Sequence, residues 1–169
     1  ASDEFWEFQM SSELLAQKFD AYASSLGEED YDKLMENLND DDYVEDFMRK
    51  ANLENELQQL AKAKENLIQH TGFLRLSADE RTQLFILYAE SNELTKVKLL
   101  KTREEGGSTS SCEEQKQAAY KQAKADYDNA IANCQNGSMP SGCLIQAAAK
   151  YDRAKDIANK EYKECIANK

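Results

Sequence analysis

Proline and glycine are scarce in this chain, one Pro and six Gly in 169 residues. A fold built from many short strands and tight turns needs far more of both, so a turn-rich β architecture is excluded. There is a single histidine, His70, which removes the paired-histidine zinc pattern of a helix face. Among the residues that are present, none form a Gly-rich phosphate loop, a nucleophile elbow or a Cys-x-x-Cys pair. No run of about 18 apolar residues occurs, so no segment reads as a membrane-spanning helix. Basic residues are nearly missing from the first 46 positions, which hold fifteen Asp or Glu against only Lys18 and Lys33 and so carry -13 of the formal -11. The remainder sums to +2. Contact with nucleic-acid phosphates or an anionic membrane surface needs clustered Lys and Arg, and the acidic segment argues against both.

What the chain does have is 41% hydrophobic and 31% charged residues, an ordinary globular mixture long enough to bury a core. Ala, Leu, Glu, Lys and Gln dominate, the straight-chain helix formers. The reading is all-α. Phe8, Ser12, Leu15, Phe19, Tyr22 and Leu26 recur at steps of four and three and predict a helix over 3–26, with Gly27 as its stop. Phe5, Trp6 and Met10 lie off that stripe, and burial on a second side is expected for them. Tyr31, Leu34, Met35 and Leu38 mark a short second helix. A third pattern runs through Val44, Phe47, Met48 and Ala51, then resumes slightly out of phase at Leu53, Leu57, Leu60, Lys64, Leu67 and Ile68, predicting a break at Asn52, which would cap the helix that follows. Ser77 and Glu80 form a capping box before Leu84, Phe85, Ile86, Leu87 and Tyr88, a segment apolar nearly all round and therefore expected at the centre of the bundle.

All four cysteines fall in the last third, and their spacing is symmetric: Cys112 to Cys134 and Cys143 to Cys165 are each 22 positions, with a turn between the arms marked by Asn136, Gly137, Pro140 and Gly142. Each arm carries a narrow stripe of Ala alternating with Tyr, including Ala119, Tyr120, Ala123 and Tyr127 on one and Ala147, Tyr151, Ala158 and Tyr162 on the other. Small seam residues let two helix axes approach closely, as an interhelical disulfide requires, since its Cα atoms must lie within about 7 Å. Twenty-two helical positions span about 33 Å, so pairing within an arm is impossible, and Cys112 and Cys143 would lie at opposite ends. Only Cys112 with Cys165 and Cys134 with Cys143 remain. On the chain-entropy model the inner loop contributes about 2.7 kcal/mol and the outer about 4 kcal/mol if formed alone, the nested pair summing to less. Zinc sites bring their cysteines in close pairs and are not expected here.

The division expected from composition is an acidic helical bundle over 1–103, a flexible linker over 104–111 (Glu-Glu-Gly-Gly-Ser-Thr-Ser-Ser) and a disulfide-stapled helical hairpin over 112–169. The two-rung cysteine topology is similar to that of the paired-cysteine helical hairpin proteins of the mitochondrial intermembrane space, whose spacing is much shorter. Leu-Ser-Ala-Asp-Glu-Arg-Thr-Gln-Leu, residues 76–84, resembles the helix-opening motif of periplasmic helical chaperones of the Spy type. No family property is carried over from either.

Function classes narrow accordingly. No catalytic residue, metal ligand or cofactor is expected; the acids from Asp40 lack the Gly and register of a calcium loop, and His70 stands alone. The even cysteine count, together with a start at Ala1 that fits a mature chain, points to a periplasmic, surface or secreted setting. Asn136-Gly137-Ser138 matches a glycosylation acceptor and equally a turn. The expected activity is non-enzymatic binding of a protein partner, basic in character, with Asp40, Asp41, Asp42 and Asp46 as contact residues. Two alternatives are a carrier of a small apolar ligand, its pocket lined by Leu84, Phe85 and Tyr88, and an acidic inhibitor or immunity-type protein covering a basic site.

Overall fold

The computed structural model describes residues 3–101, 110–134 and 140–168, with side chains described outside 90–101, 110, 140 and 141. Of the linker expected over 104–111, residues 104–109 lie outside these residues, as does the acceptor pattern at 136–138, while Ser110 and Ser111 open a helix instead. Among the described residues there are eight helices and no strand: α1 (Asp3–Ser24), α2 (Glu28–Glu36), α3 (Asp41–Ala51), α4 (Glu54–Gln69), α5 (Thr71–Leu74), α6 (Ala78–Lys101), α7 (Ser110–Ala132) and α8 (Pro140–Ala167). The fold is the all-α bundle and antiparallel hairpin expected, and both staples are present. Cys112 is joined to Cys165 and Cys134 to Cys143, with Cα atoms 5.8 Å apart in each pair.

Helix boundaries follow local chemistry. Asp40 caps α3, its carboxylate accepting from the backbone N–H groups of Asp42 and Tyr43. Ser77 and Glu80 close the capping box reciprocally at 3.1 Å each way. The break at Asn52 is real, but its role is the reverse of that expected: Asn52 ends α3 in the left-handed conformation, φ 57°, and Leu53 opens α4. Asparagine tolerates that conformation better than other side chains, which suits a C-terminal cap. His70 sits between α4 and α5, its Nδ1 accepting from the Gly72 N–H at 3.2 Å.

The helix at the centre is α1, not α6. Phe5, Phe8, Leu15, Ala16, Phe19 and Ala23 of α1 are all buried, together with Gln9 and Ser12, and α1 packs against both α4 and α8. On α6, Phe85 is fully buried whereas Leu87 is 60% exposed, so the apolar circumference is wider than the face that packs. The expected second-side burial at the start of α1 holds for Phe5 alone: Trp6 is 50% and Met10 69% exposed. Trp6 touches Tyr88 edge-on, ring centroids 5.8 Å apart, and leaves its other side to solvent.

One hydrophobic core runs through the bundle and the hairpin together. Phe8, Phe19, Leu34, Leu60 and Phe85 belong to the same buried cluster as Tyr127, Ile131, Leu144 and Ile145. The Ala-rich side of α8 supplies Ala147, Ala148 and Ala149 to it. Small side chains here bring α8 close to α1 and α3, so the hairpin serves as a wall of the core as well as a two-helix unit.

Candidate functional site

Three arrangements on this scaffold have the chemistry to do something: the acidic face of α2 and α3, the polar seam that docks the hairpin, and a crevice where α1, α2 and α8 meet.

The acidic face is a consequence of helix amphipathicity. Leu34, Val44 and Phe47 turn inward, and every Asp and Glu between residues 28 and 46 is exposed. Asp41 and Asp42 stand in the first turn of α3, where the macrodipole favours them. Asp46 is partly compensated by Lys50 of the next turn, 2.9 Å away, and its carboxylate raises the Lys50 pKa by hydrogen bonding. Asp40 spends one carboxylate oxygen on its cap. The four expected contact residues thus share one helix and its cap and face solvent. The other expected group is packed among aromatic rings: Phe85 lies 5.7 Å from Phe8 and 6.2 Å from both Phe5 and Phe73, ring centroid to centroid, and Tyr88 meets Phe5 edge-on at 5.5 Å. Leu84 is partly buried beside them.

The seam is made of polar residues set into apolar stripes, and periodicity alone did not distinguish them. Asp128 of α7 is completely buried. It accepts from Gln9 Nε2 at 3.0 Å and from Lys124 Nζ at 2.7 Å, and Ser12 Oγ lies 3.3 Å from it. Lys124 also reaches Gln9 Oε1 at 3.1 Å. Burial pushes the Asp128 carboxyl up, with the Lys124 ammonium pulling the other way. Beside it the Tyr127 hydroxyl donates to the Ser12 carbonyl at 2.7 Å, and its ring stacks on Tyr151 at 4.7 Å. At the turn end, buried Lys64 of α4 donates to the Cys134 carbonyl just beyond α7, placing a cation at a helix C-terminus. Gln146 of α8 donates to the Leu38 carbonyl at 2.8 Å. Each satisfies a group that would otherwise be buried without a partner, so the seam fixes register and angle between bundle and hairpin.

At the crevice, Asp152 of α8 is 4% exposed. Its Oδ2 accepts from the Tyr31 hydroxyl at 3.3 Å, and its Oδ1 is buried with no hydrogen-bond donor among the described residues. Burial raises its pKa to about 7, helped by Asp20 of α1, which stands within hydrogen-bonding reach, and by the charge of Asp156. The Tyr31 hydroxyl is pushed up as well, by burial first and by the Asp152 charge second. Nothing in the sequence flagged Asp152, because an Asp in an Ala-rich stripe reads as a polar interruption; the available signal was its place one turn after buried Ala148.

The sequence matches no family model, and neither a curated protein nor a solved structure is similar to it at a significant level.

Proposed function

We propose that this protein is a non-enzymatic, extracytoplasmic interaction protein that presents the carboxylates of α2 and α3 to a basic protein partner. The observation that carries this reading is the exposure of every Asp and Glu from residue 28 to residue 46, ten in all, against Lys33, Arg49 and Lys50 as the cations of α2 and α3. A dense field of one sign steers an oppositely charged partner and suppresses others. Two disulfides support a setting where thiols oxidise, and no helix among the described residues is long and apolar enough to cross a membrane. The docked hairpin acts as the rigid support that holds α2 and α3 against α8.

The test is capture of the partner on immobilised protein at rising salt, compared with a triple variant in which Asp40, Asp41 and Asp42 become Asn. Asn keeps the α3 cap while removing three charges. Capture should weaken steeply between about 0.1 and 0.5 M salt as the Debye length shrinks, and the triple variant should weaken it at every salt concentration. Salt-independent capture, unchanged in the variant, would refute the acidic face; lipid retained by the purified protein in native mass spectrometry would favour a carrier instead.

A further inference from the structure

A carboxylate taken out of water is stable only when protonated or paired with a cation. Asp152 has one oxygen supplied by Tyr31 and one with no donor nitrogen or hydroxyl among the described residues, the other polar group within hydrogen-bonding reach of the carboxyl being that of Asp20, another acid. It lines a cavity of about 300 Å³ together with Asp156 of the same helix face, Glu28 and Tyr31 of α2, and the apolar side chains Ala23 and Leu26. The nearest cations on α8 act on the crevice from beside it without lining it: Lys155, whose Nζ lies over the Tyr151 ring at 4.3 Å, partly offsets the rise at Asp152, and exposed Arg153 partly offsets that at Tyr31. Three carboxylates therefore border one recess that no cation of the described lining fills.

We propose that this crevice binds a primary alkylammonium group, paired with the carboxylate of Asp152, with the exposed carboxylates of Asp156 and Glu28 adding negative charge at the rim and its aliphatic stem against Ala23 and Leu26. An ammonium has three donors and no acceptor, which matches a wall made of acceptors. The apolar wall and the volume suit a methylene chain better than a bare ion. Among the described residues, no group of three or more His, Cys, Asp or Glu is arranged to hold a metal ion. The same chemical group is carried by a lysine side chain and by a small free amine. The crevice does not depend on the acidic-face reading: small probes on the isolated protein test the one, and salt-dependent partner capture tests the other.

Proton and ammonium compete for the same oxygens. The titratable and charged groups around Asp152 are Asp20 from α1, Tyr31 and Glu28 from α2, and Arg153, Lys155 and Asp156 along α8. A carboxyl that titrates at about 7 is about one-tenth ionised at pH 6 and nine-tenths at pH 8. Alkylammonium affinity should therefore rise about tenfold over that interval.

The experiment is an amide-shift titration of isotope-labelled protein at constant ionic strength, with n-butylammonium chloride and with the peptide acetyl-Gly-Lys-Gly-amide as probes. At pH 8 saturable shifts are expected around Tyr31 and Asp152, with dissociation constants on the order of 1 mM or tighter. Asp152→Asn and Asp156→Asn should each weaken binding at least about fivefold, the second at an exposed position that the fold tolerates. Peptide binding about tenfold tighter than butylammonium assigns the site to a protein lysine, and equal or weaker peptide binding assigns it to a free amine. The proposal is overturned if neither probe saturates, if both variants bind as the parent does, or if calcium chloride shifts these amides while the amines do not.

Discussion

Replacing Asp152 by Asn should stabilise the protein at pH 8, by about a third as much at pH 5, and leave it nearly unchanged at pH 4, although it removes a buried charged residue. The folded protein holds the Asp152 proton up to about pH 7, whereas an unfolded chain releases it near the ordinary carboxylate value of 3.8. Between those values the folded state binds the extra proton. Stability therefore falls as pH rises from about 4 to 7 and levels off above. A gap of about three pKa units bounds the effect at about 4 kcal/mol. The crevice beside Asp152 admits water, which screens the charge and brings the expected gain to about 1–2 kcal/mol. Asn is the neutral isostere of the protonated acid: its oxygen can still accept from Tyr31, and its amide can donate towards Asp20. For a chain of 169 residues that gain corresponds to a rise in Tm of about 3–6 °C. Thermal melts by circular dichroism at pH 4, 5, 6, 7 and 8 read it directly. A variant destabilised at pH 8, or a difference between the two proteins that does not change with pH, would refute the reasoning.

Other parts of the seam respond differently. Asp128→Ala strands Lys124, Gln9 and the Ser12 hydroxyl in a buried site and should cost about 3–5 kcal/mol in urea denaturation, with Asp128→Asn costing less because Gln9 and Ser12 keep a partner; equal losses would mean the charge is immaterial. Lys64→Met preserves the buried stem but deprives the Cys134 carbonyl of its donor, and should lower stability by about 1–3 kcal/mol, with faster hydrogen exchange at the end of α7 as its local signature. Reduction of both disulfides should lower Tm and release the Cys112–Cys165 end of the hairpin first, because Tyr162 and Cys165 are only half-buried there whereas Cys134 is held by Lys64. An unchanged melting curve with the thiols confirmed free would dismiss the staples as contributors to stability.

The parts of this structure legible in the chain are those that local geometry dictates. Helical periodicity marks the inward faces of α1, α3 and α4, and the Ser77–Glu80 box marks the start of α6. The cysteine spacing leaves one connectivity because a helix has a fixed rise. Asn52 was legible as a break but not as the end that it caps, since Asn serves at either terminus and only the backbone angle decides. The exposed acids of α3 followed from amphipathicity. The crevice did not: Asp152, Glu28 and Tyr31 lie on helices separated by more than a hundred residues, and nothing in either helix specifies the other.

By itself, then, the sequence determined helix content, the disulfide pairing and the sign of the surface, all of which depend on neighbours within a few turns or on the length of a rigid rod. Periodicity set Ser12 and Lys64 on inward stripes, but only the tertiary structure decided that Gln9, Asp128 and Asp152 are interior residues as well. Whether a polar side chain on an apolar stripe is buried depends on whether a partner from a distant helix arrives to satisfy it. Four of these five have such partners, and Asp152 has one for only half of its carboxylate.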